Sequence, residues 1–367
     1  MKRTTRRTKV IDQPSKVKPG SGQQPSSPRR RPSGSWVDRL TAAIDRAPSP
    51  LWATYLVLFA LVLGVVTGLA WMGGGTEAMA FLPIYFLTAA WAVFPLALIH
   101  HLDRVSARAL AQFRPVCDIE DTEADRLRAE LTTMPGLPTA LVGLAGVGFI
   151  WFFYLSNRRL FAPILASEAQ FIVAMIVLTF SFAMLGVLLY HSVRQLRLVS
   201  RIYARVKRLD LFNLSPLYGF AALAARTSIA WAAALYLSLA LNPAILGSYV
   251  ALGASLVQAG LVLGTFTWPL VGVHRRIGEK KDQALAEVGE SLNQAIAELN
   301  ARTRSMSLSR MDALNKMILS LVAAREVLSK VPTWPWSPGT PVAVGSALLL
   351  PVGLYLLQRL IERVIGL

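Results

Sequence analysis

The chain has 367 residues, of which 54% are hydrophobic and 16% charged, and its formal net charge is +17. Soluble domains carry about 25% charged residues, so this composition excludes an ordinary water-soluble fold. The single cysteine, Cys117, excludes an internal disulfide framework. The positive charge has two possible explanations, nucleic-acid binding and membrane topology.

Residues 1–50 are basic and lack long apolar runs. Twelve Lys or Arg stand against three acidic residues, and Pro, Ser and Gly recur throughout. This composition is typical of disordered segments. The basic stretch is too long for a signal peptide, and the apolar block behind it has no small-residue cleavage site. We therefore predict a disordered, basic, cytoplasmic tail over residues 1–50.

The rest of the chain contains apolar blocks long enough to cross a hydrocarbon core of about 30 Å, which takes roughly 20 helical residues. The last block contains two prolines and ends in charged residues, so it either spans the bilayer or re-enters the inner leaflet, and its length favours a span. The seven predicted spans are Leu51–Met72, Phe81–Ile99, Pro138–Ser156, Phe171–Tyr190, Thr227–Leu246, Ser248–Val273 and Pro341–Gln358.

Two polar stretches interrupt the six-helix membrane region at 51–273. Residues 100–137 are predicted to be a cytoplasmic loop, in which Thr122 and Asp125 resemble a capping box that opens a short helix ending at Leu131. Residues 191–226 carry seven Lys or Arg against one acid. They predict a helix lying on the anionic lipids of the inner leaflet, with an apolar face formed by Leu196, Val199, Ile202 and Val206.

The distribution of positive charge predicts the orientation. With the N-terminus in the cytoplasm, 34 of the 38 Lys and Arg lie on the cytoplasmic side, and only Arg158, Arg159, Arg359 and Arg363 lie outside. This agrees with the positive-inside rule. We expect a multi-pass protein of the plasma membrane, and topology explains the basic excess better than nucleic-acid binding does.

Residues 274–331 predict a cytoplasmic, antiparallel helical hairpin. Apolar residues of 285–299 and of 314–328 alternate three and four positions apart, as in coiled coils. The two seams either satisfy each other or, within residues 282–328, bind a cytoplasmic protein or a second copy of the chain. In the C-terminal segment 332–367, Trp334 and Trp336 lie among prolines, which is typical of interfacial anchors before a membrane helix.

The sequence contains none of the usual catalytic signatures: no GxxxxGK[ST], GxSxG, HExxH or CxxC motif is present. Every charged residue falls outside the predicted spans, which argues against ion-coupled transporters and proton pumps. We expect no enzymatic activity and no cofactor.

All four histidines follow apolar runs at the predicted cytoplasmic ends of even-numbered spans. If the three helix pairs pack around one axis, His101, His191 and His274 would converge to hold a metal or to sense pH. The alternative is that histidine only marks the polar boundary of such helices. We favour this alternative and predict no metal site, because no carboxylate accompanies the cluster.

Glycines in the spans predict close helix packing. Gly64 and Gly68 form one GxxxG pattern and Gly260 and Gly264 another, with Gly253 on the same face as the second pair. Such faces let helices approach closely, and we expect contacts within the chain rather than between copies.

The patterned sequence lies on the predicted cytoplasmic side, whereas the spans lack charged chemistry. We therefore predict a non-enzymatic scaffold, sensor or assembly subunit of an all-α membrane protein with six to seven spans. The alternative is a channel or transporter for a neutral or apolar solute. Its path would be lined by the uncharged residues Gln258, Ser255, Ser181, Thr88 and Tyr55.

Overall fold

The computed structural model describes residues 34–73, 83–114, 120–161, 167–204, 210–242, 249–304, 311–337, 339–347 and 349. Over these ranges the fold is helical and contains no strand, apart from one isolated bridge between Gly34 and Pro135. The helices are α1 (Trp36–Asp45), α2 (Leu51–Gly73), α3 (Pro83–Phe113), α4 (Asp121–Thr132), α5 (Gly136–Ser156), α6 (Arg158–Phe161), α7 (Glu168–Ala204), α8 (Tyr218–Leu241), α9 (Tyr249–Arg304) and α10 (Met311–Lys330). A short 3-10 helix, Ser215–Leu217, leads into α8, and residues 339–347 are also helical.

Six of these helices, α2, α3, α5, α7, α8 and α9, are long and apolar enough to cross a membrane. This confirms the predicted all-α, multi-pass architecture. Of the predicted seventh span, the structure describes residues 341–347 and 349, and the remainder lies outside the described residues. The seventh span therefore stays a prediction.

Two membrane helices continue well past their predicted ends. α3 runs on to Phe113 and α7 to Ala204, because each extension keeps one apolar face. On these faces Leu102 and Val199 are fully buried in the larger of two hydrophobic clusters. The predicted helix on the inner leaflet is therefore wrong for the described part of 191–226, since its apolar side is covered by protein. The predicted loop 100–137 is likewise mostly helix.

Residues 34–50 were predicted to be disordered, and the structure corrects this. Ser35 caps α1 in a capping box, in which Ser35 Oγ accepts from the Asp38 N–H (3.2 Å) and Asp38 Oδ2 accepts from the Ser35 N–H (2.7 Å). Asp38 also accepts the N–H of Met134 (3.0 Å), and Val37 is fully buried. Tertiary contacts thus order this helix, while the rest of the predicted tail lies outside the described residues.

The short helix predicted to end at Leu131 is present as α4, but its predicted capping box is wrong. The N-cap is Glu120 rather than Thr122, and its side chain makes no capping hydrogen bond. α4 is held instead by apolar packing, with Leu127 and Leu131 buried against the helix bundle.

α9 is one continuous helix of 56 residues, about 84 Å long, so span six and the first helix of the predicted hairpin are a single element. α10 runs antiparallel along its C-terminal half. Lys281 Nζ donates to the carbonyl oxygens of Ser329 (2.6 Å) and Val331 (2.9 Å). Ala295 and Leu314 are buried in the seam between the two helices.

Helices pack closely at other glycines than those predicted. A Cβ built on any of the five predicted glycines meets no atom of the described residues within 4 Å, so the structure does not show the expected packing at Gly64, Gly68, Gly253, Gly260 and Gly264. Gly64, Gly253 and Gly260 are exposed, and Gly68 and Gly264 are half-buried. α5 and α7 approach closely instead. A Cβ on Gly146 would collide with the carbonyl oxygen of Phe182, and one on Gly186 with that of Val142.

Candidate functional site

A cavity of about 770 Å³ lies among the membrane helices α3, α5, α7, α8 and α9, with α6 adding Phe161. Its volume lies within the range of roughly 300–1,000 Å³ that is usual for small-molecule sites. Along α7 the lining runs from Leu178 to Val193. At 1.5 Å per helical residue this is about 22 Å, so the cavity is elongated along the helix axes.

The two sides of the cavity differ in polarity. α5 and α7 contribute apolar and aromatic side chains, with Tyr190 as their polar exception. We call the opposite side, formed by α3, α8 and α9, the polar wall. It contains Thr88, Trp91, Trp231, Ser238, Asn242, Ser255 and Gln258. None of the described lining residues carries a formal charge.

Hydrogen bonds hold the polar wall together. The indole N–H of Trp91 donates to Ser238 Oγ (3.2 Å), which joins α3 to α8. Gln258 Nε2 donates to the carbonyl oxygen of Trp231 (3.2 Å), which joins α9 to α8. The indole nitrogen of Trp231 itself is buried and has no hydrogen-bond partner among the described residues.

The cavity is open on the side of α5 and α9. Phe149 on α5 and Val257 on α9 both line it, and they are 38% and 66% exposed. These two helices make little contact with each other, whereas α5 packs closely on α7 and α9 on α8. The described residues therefore leave a gap between α5 and α9.

The structure brings together three of the five residues of the predicted solute path. Thr88, Ser255 and Gln258 line the cavity. Ser181 does not, and its hydroxyl donates to the carbonyl oxygen of Val177 (2.6 Å). Tyr55 does not line the cavity either, and its hydroxyl contacts the imidazole of His100 on α3.

No protein-family model, curated protein or solved structure matches the chain.

A second polar site lies between the C-terminal halves of α3 and α7. His191 Nε2–H donates to Asp103 Oδ1 (2.8 Å). Gln195 Nε2 donates to the same oxygen (3.0 Å) and to the carbonyl oxygen of Leu131 (2.9 Å). The His191 side chain is fully buried and that of Asp103 is 15% exposed. Among the described residues, no hydrogen-bond partner exists for three buried atoms, His191 Nδ1, Ser192 Oγ and Gln195 Oε1.

This network corrects two expectations. A carboxylate does accompany a histidine, because Asp103 and His191 come from helices whose pairing the sequence does not reveal. Asp103 also lies on a membrane helix, packed inside the protein, rather than in a solvated loop. The absence of charge from the apolar runs therefore does not exclude a buried, charged site at the end of the bundle.

His100, which was not singled out from the sequence, links three helices. Its Nε2–H donates to Asp45 Oδ1 (3.1 Å) at the end of α1, and its Nδ1 accepts from the hydroxyl of Tyr55 on α2 (3.1 Å). Arg104 Nη2 donates to the same Asp45 oxygen (2.9 Å). The imidazole is nearly buried, so this contact fastens α1 to the bundle.

The three histidines of the candidate cluster have different neighbours. His191 pairs with Asp103, His274 Nδ1–H donates to the carbonyl oxygen of Thr333 (3.2 Å), and His101 is exposed on α3. Over the described ranges, no group of three His, Cys, Asp or Glu side chains is placed to hold a metal ion. The candidate cluster of His101, His191 and His274 therefore does not form a metal site among the described residues.

The two tryptophans predicted as interfacial anchors pack along α9. Trp334 stacks on His274 with 4.0 Å between ring centroids, and Trp336 stacks on Trp334 at 4.4 Å. Trp336 also stacks on Phe266 at 5.3 Å, which makes a row of four rings. The row holds the chain after α10 against α9, and the role at a membrane interface stays a prediction.

Proposed function

We propose that the protein binds an uncharged, largely apolar molecule between its membrane helices, as a transporter or channel for such molecules does. The observation that carries the proposal is the elongated cavity of about 770 Å³ whose described lining has no charged residue. Burying an unpaired charge in such a lining is costly, so ions are poor ligands. The gap between α5 and α9 would allow an apolar molecule to enter from the bilayer.

A cavity-filling variant tests this function. Ala254 lines the cavity, whereas Gly253, its neighbour on α9, has open space around it. Ala254→Phe should therefore remove bound apolar molecules, and Gly253→Phe, at the same depth, should not. The measurement is native mass spectrometry of the full-length protein in lipid nanodiscs, with extraction and identification of the molecules retained. Equal retention by both variants, or none by the unmodified protein, would refute the proposal.

A topology goes with this proposal. We place the N-terminus and the α9–α10 pair on the cytoplasmic side of the plasma membrane, with the basic tail beside anionic inner-leaflet lipids. The support is the positive-inside distribution of Lys and Arg. The contact of α1 with α3 and with Met134, at the end of the bundle where α3 finishes, is consistent with that placement.

A second candidate function is the scaffold or sensor role predicted from the sequence. It is favoured by one observation: α10 has a second apolar face, with Leu319 and Val322 exposed, besides the face that packs on α9. Such a face suits a cytoplasmic protein partner. Affinity purification of the intact protein should recover a partner that Leu319→Glu/Val322→Glu loses and that Ser320→Glu, on an exposed position of the same helix, keeps. Recovery of the same proteins in the same amounts with both variants would show that the exposed face of α10 does not bind a partner.

A further inference from the structure

The described lining of the cavity has no charged residue, which favours an uncharged ligand, and the hydrogen-bonding groups of the polar wall restrict the ligand's chemistry further. This inference rests on the proposed function, since it concerns the same cavity. From the arrangement of donors and acceptors, we propose that the ligand is an uncharged lipid with one long hydrocarbon chain and a hydroxyl group. The hydroxyl lies against Ser255 and Gln258, which are one turn apart on α9, and the chain lies along α5 and α7.

The first step concerns which hydrogen-bonding groups are available. Thr88 donates its hydroxyl proton to the carbonyl oxygen of Ile84 (2.8 Å), and Ser255 donates to that of Ala251 (2.9 Å). The protons of both hydroxyls are therefore used within their own helices, and their oxygens offer acceptor lone pairs. Acceptors require a donor, and an O–H group is the simplest uncharged donor that a lipid can carry.

Gln258 supplies the complementary group. Its Nε2 donates to the carbonyl oxygen of Trp231 (3.2 Å), and its carboxamide oxygen has no partner among the described residues. A carboxamide has two N–H donors and one acceptor oxygen, so it can bond to a hydroxyl in both directions. A carboxylate ligand would bring a charge to a wall without a cation, and a plain hydrocarbon would leave this amide unsatisfied.

The shape of the cavity fits a single chain. Its apolar side extends about 22 Å along α7, from Leu178 to Val193, and is lined by aromatic rings such as Phe149 and Phe182. Gln258 bonds to the carbonyl oxygen of Trp231, which lies near the middle of α8. The ligand would therefore lie roughly along the membrane normal, with its hydroxyl beside Gln258 at that depth.

The test is competition for photolabelling by a diazirine-bearing long-chain alcohol, with the full-length protein in nanodiscs. The competitors are 1-hexadecanol, hexadecanoate at alkaline pH and hexadecane. We expect labelled peptides from the cavity lining and displacement by hexadecanol at concentrations about tenfold lower than by the other two. Gln258→Leu and Ser255→Ala should each weaken hexadecanol binding about fivefold, the effect of one neutral hydrogen bond, and leave hexadecane binding unchanged. Thr267→Val, at an exposed position of α9, is the matched control and should change neither.

The outcomes separate the two proposals. If hexadecane or hexadecanoate competes as well as hexadecanol, the cavity still binds an apolar chain, but the inferred hydroxyl is wrong. If Gln258→Leu and Ser255→Ala behave like Thr267→Val, the polar wall does not bind the hydroxyl of the ligand and the inference is overturned. If no competitor protects the lining, and the label spreads equally over the exposed Leu256, the proposed function fails as well.

Discussion

Replacing Asp103 by leucine should leave the buried His191 without its hydrogen-bond acceptor and so lower the free energy of unfolding. Asp103 Oδ1 is the acceptor for His191 Nε2–H, and the His191 side chain is fully buried, so Asp103→Leu removes this partner without admitting water. Gln195 keeps its bond to the Leu131 carbonyl oxygen and loses less. Breaking a buried, hydrogen-bonded pair by removing one member costs about 3–5 kcal/mol, and we expect the lower end of this range.

A double substitution shows whether the loss of stability comes from the unpaired His191 side chain. Asp103→Leu/His191→Leu removes both polar groups, and apolar replacement of a whole buried pair is often nearly neutral. The double variant should therefore be within about 1 kcal/mol of the unmodified protein, and about 2–3 kcal/mol more stable than Asp103→Leu.

The measurement for both variants is the free energy of unfolding from an SDS titration in mixed micelles, followed by tryptophan fluorescence. The control is Glu279→Leu, because the Arg275–Glu279 pair is 81% and 60% exposed and should contribute less than about 0.5 kcal/mol. If Asp103→Leu costs no more than this control, or if the double variant is no more stable than Asp103→Leu, the buried network does not stabilise the bundle as argued.

Two further predictions concern packing and topology. Gly186→Val should lower the free energy of unfolding by about 1–3 kcal/mol, because its Cβ meets the backbone carbonyl of Val142, which side-chain rotation cannot move. Gly260→Val, with open space around it, should change it by less than about 0.5 kcal/mol, and equal costs in the same SDS titration would contradict the α5–α7 contact. A cysteine at Gly75, in a Cys117→Ser background, should react with an impermeant maleimide on intact cells. Labelling only in inside-out vesicles would reverse the proposed orientation.

Several features of this fold follow from properties that are written along the chain. A span needs a certain number of apolar residues, and a helical seam needs a fixed period. The six membrane helices and the two helical seams at 285–299 and 314–328 could therefore be predicted, whereas the structure shows that α9 and α10 pack on each other. α1 was also detectable, because Ser35 and Asp38 have capping-box spacing and Val37, Leu40 and Ile44 recur at a helical period. The polar composition around it concealed that signal.

Other features depend on which faces of different helices meet, and only the tertiary structure decides this. The ends of α3 and α7 lie beyond the apolar runs, because neighbouring helices cover one side of each extension. Asp103 and His191 are separated by 88 residues and become partners only when these extensions pack together. Gly146 and Gly186 make close contact although neither lies in a GxxxG motif, whereas glycines within such motifs face open space.

The cavity also combines features that the sequence predicts with features that only the tertiary structure decides. Composition alone indicates that Thr88, Ser255 and Gln258 are uncharged polar residues in apolar helices, and so suggests an uncharged solute. It does not tell which of the five proposed residues share a space, since helix rotation sets the direction of each side chain. Rotation is set by packing against neighbouring helices, and this is why Ser181 turns to its own backbone and Tyr55 to His100, while the other three line one cavity.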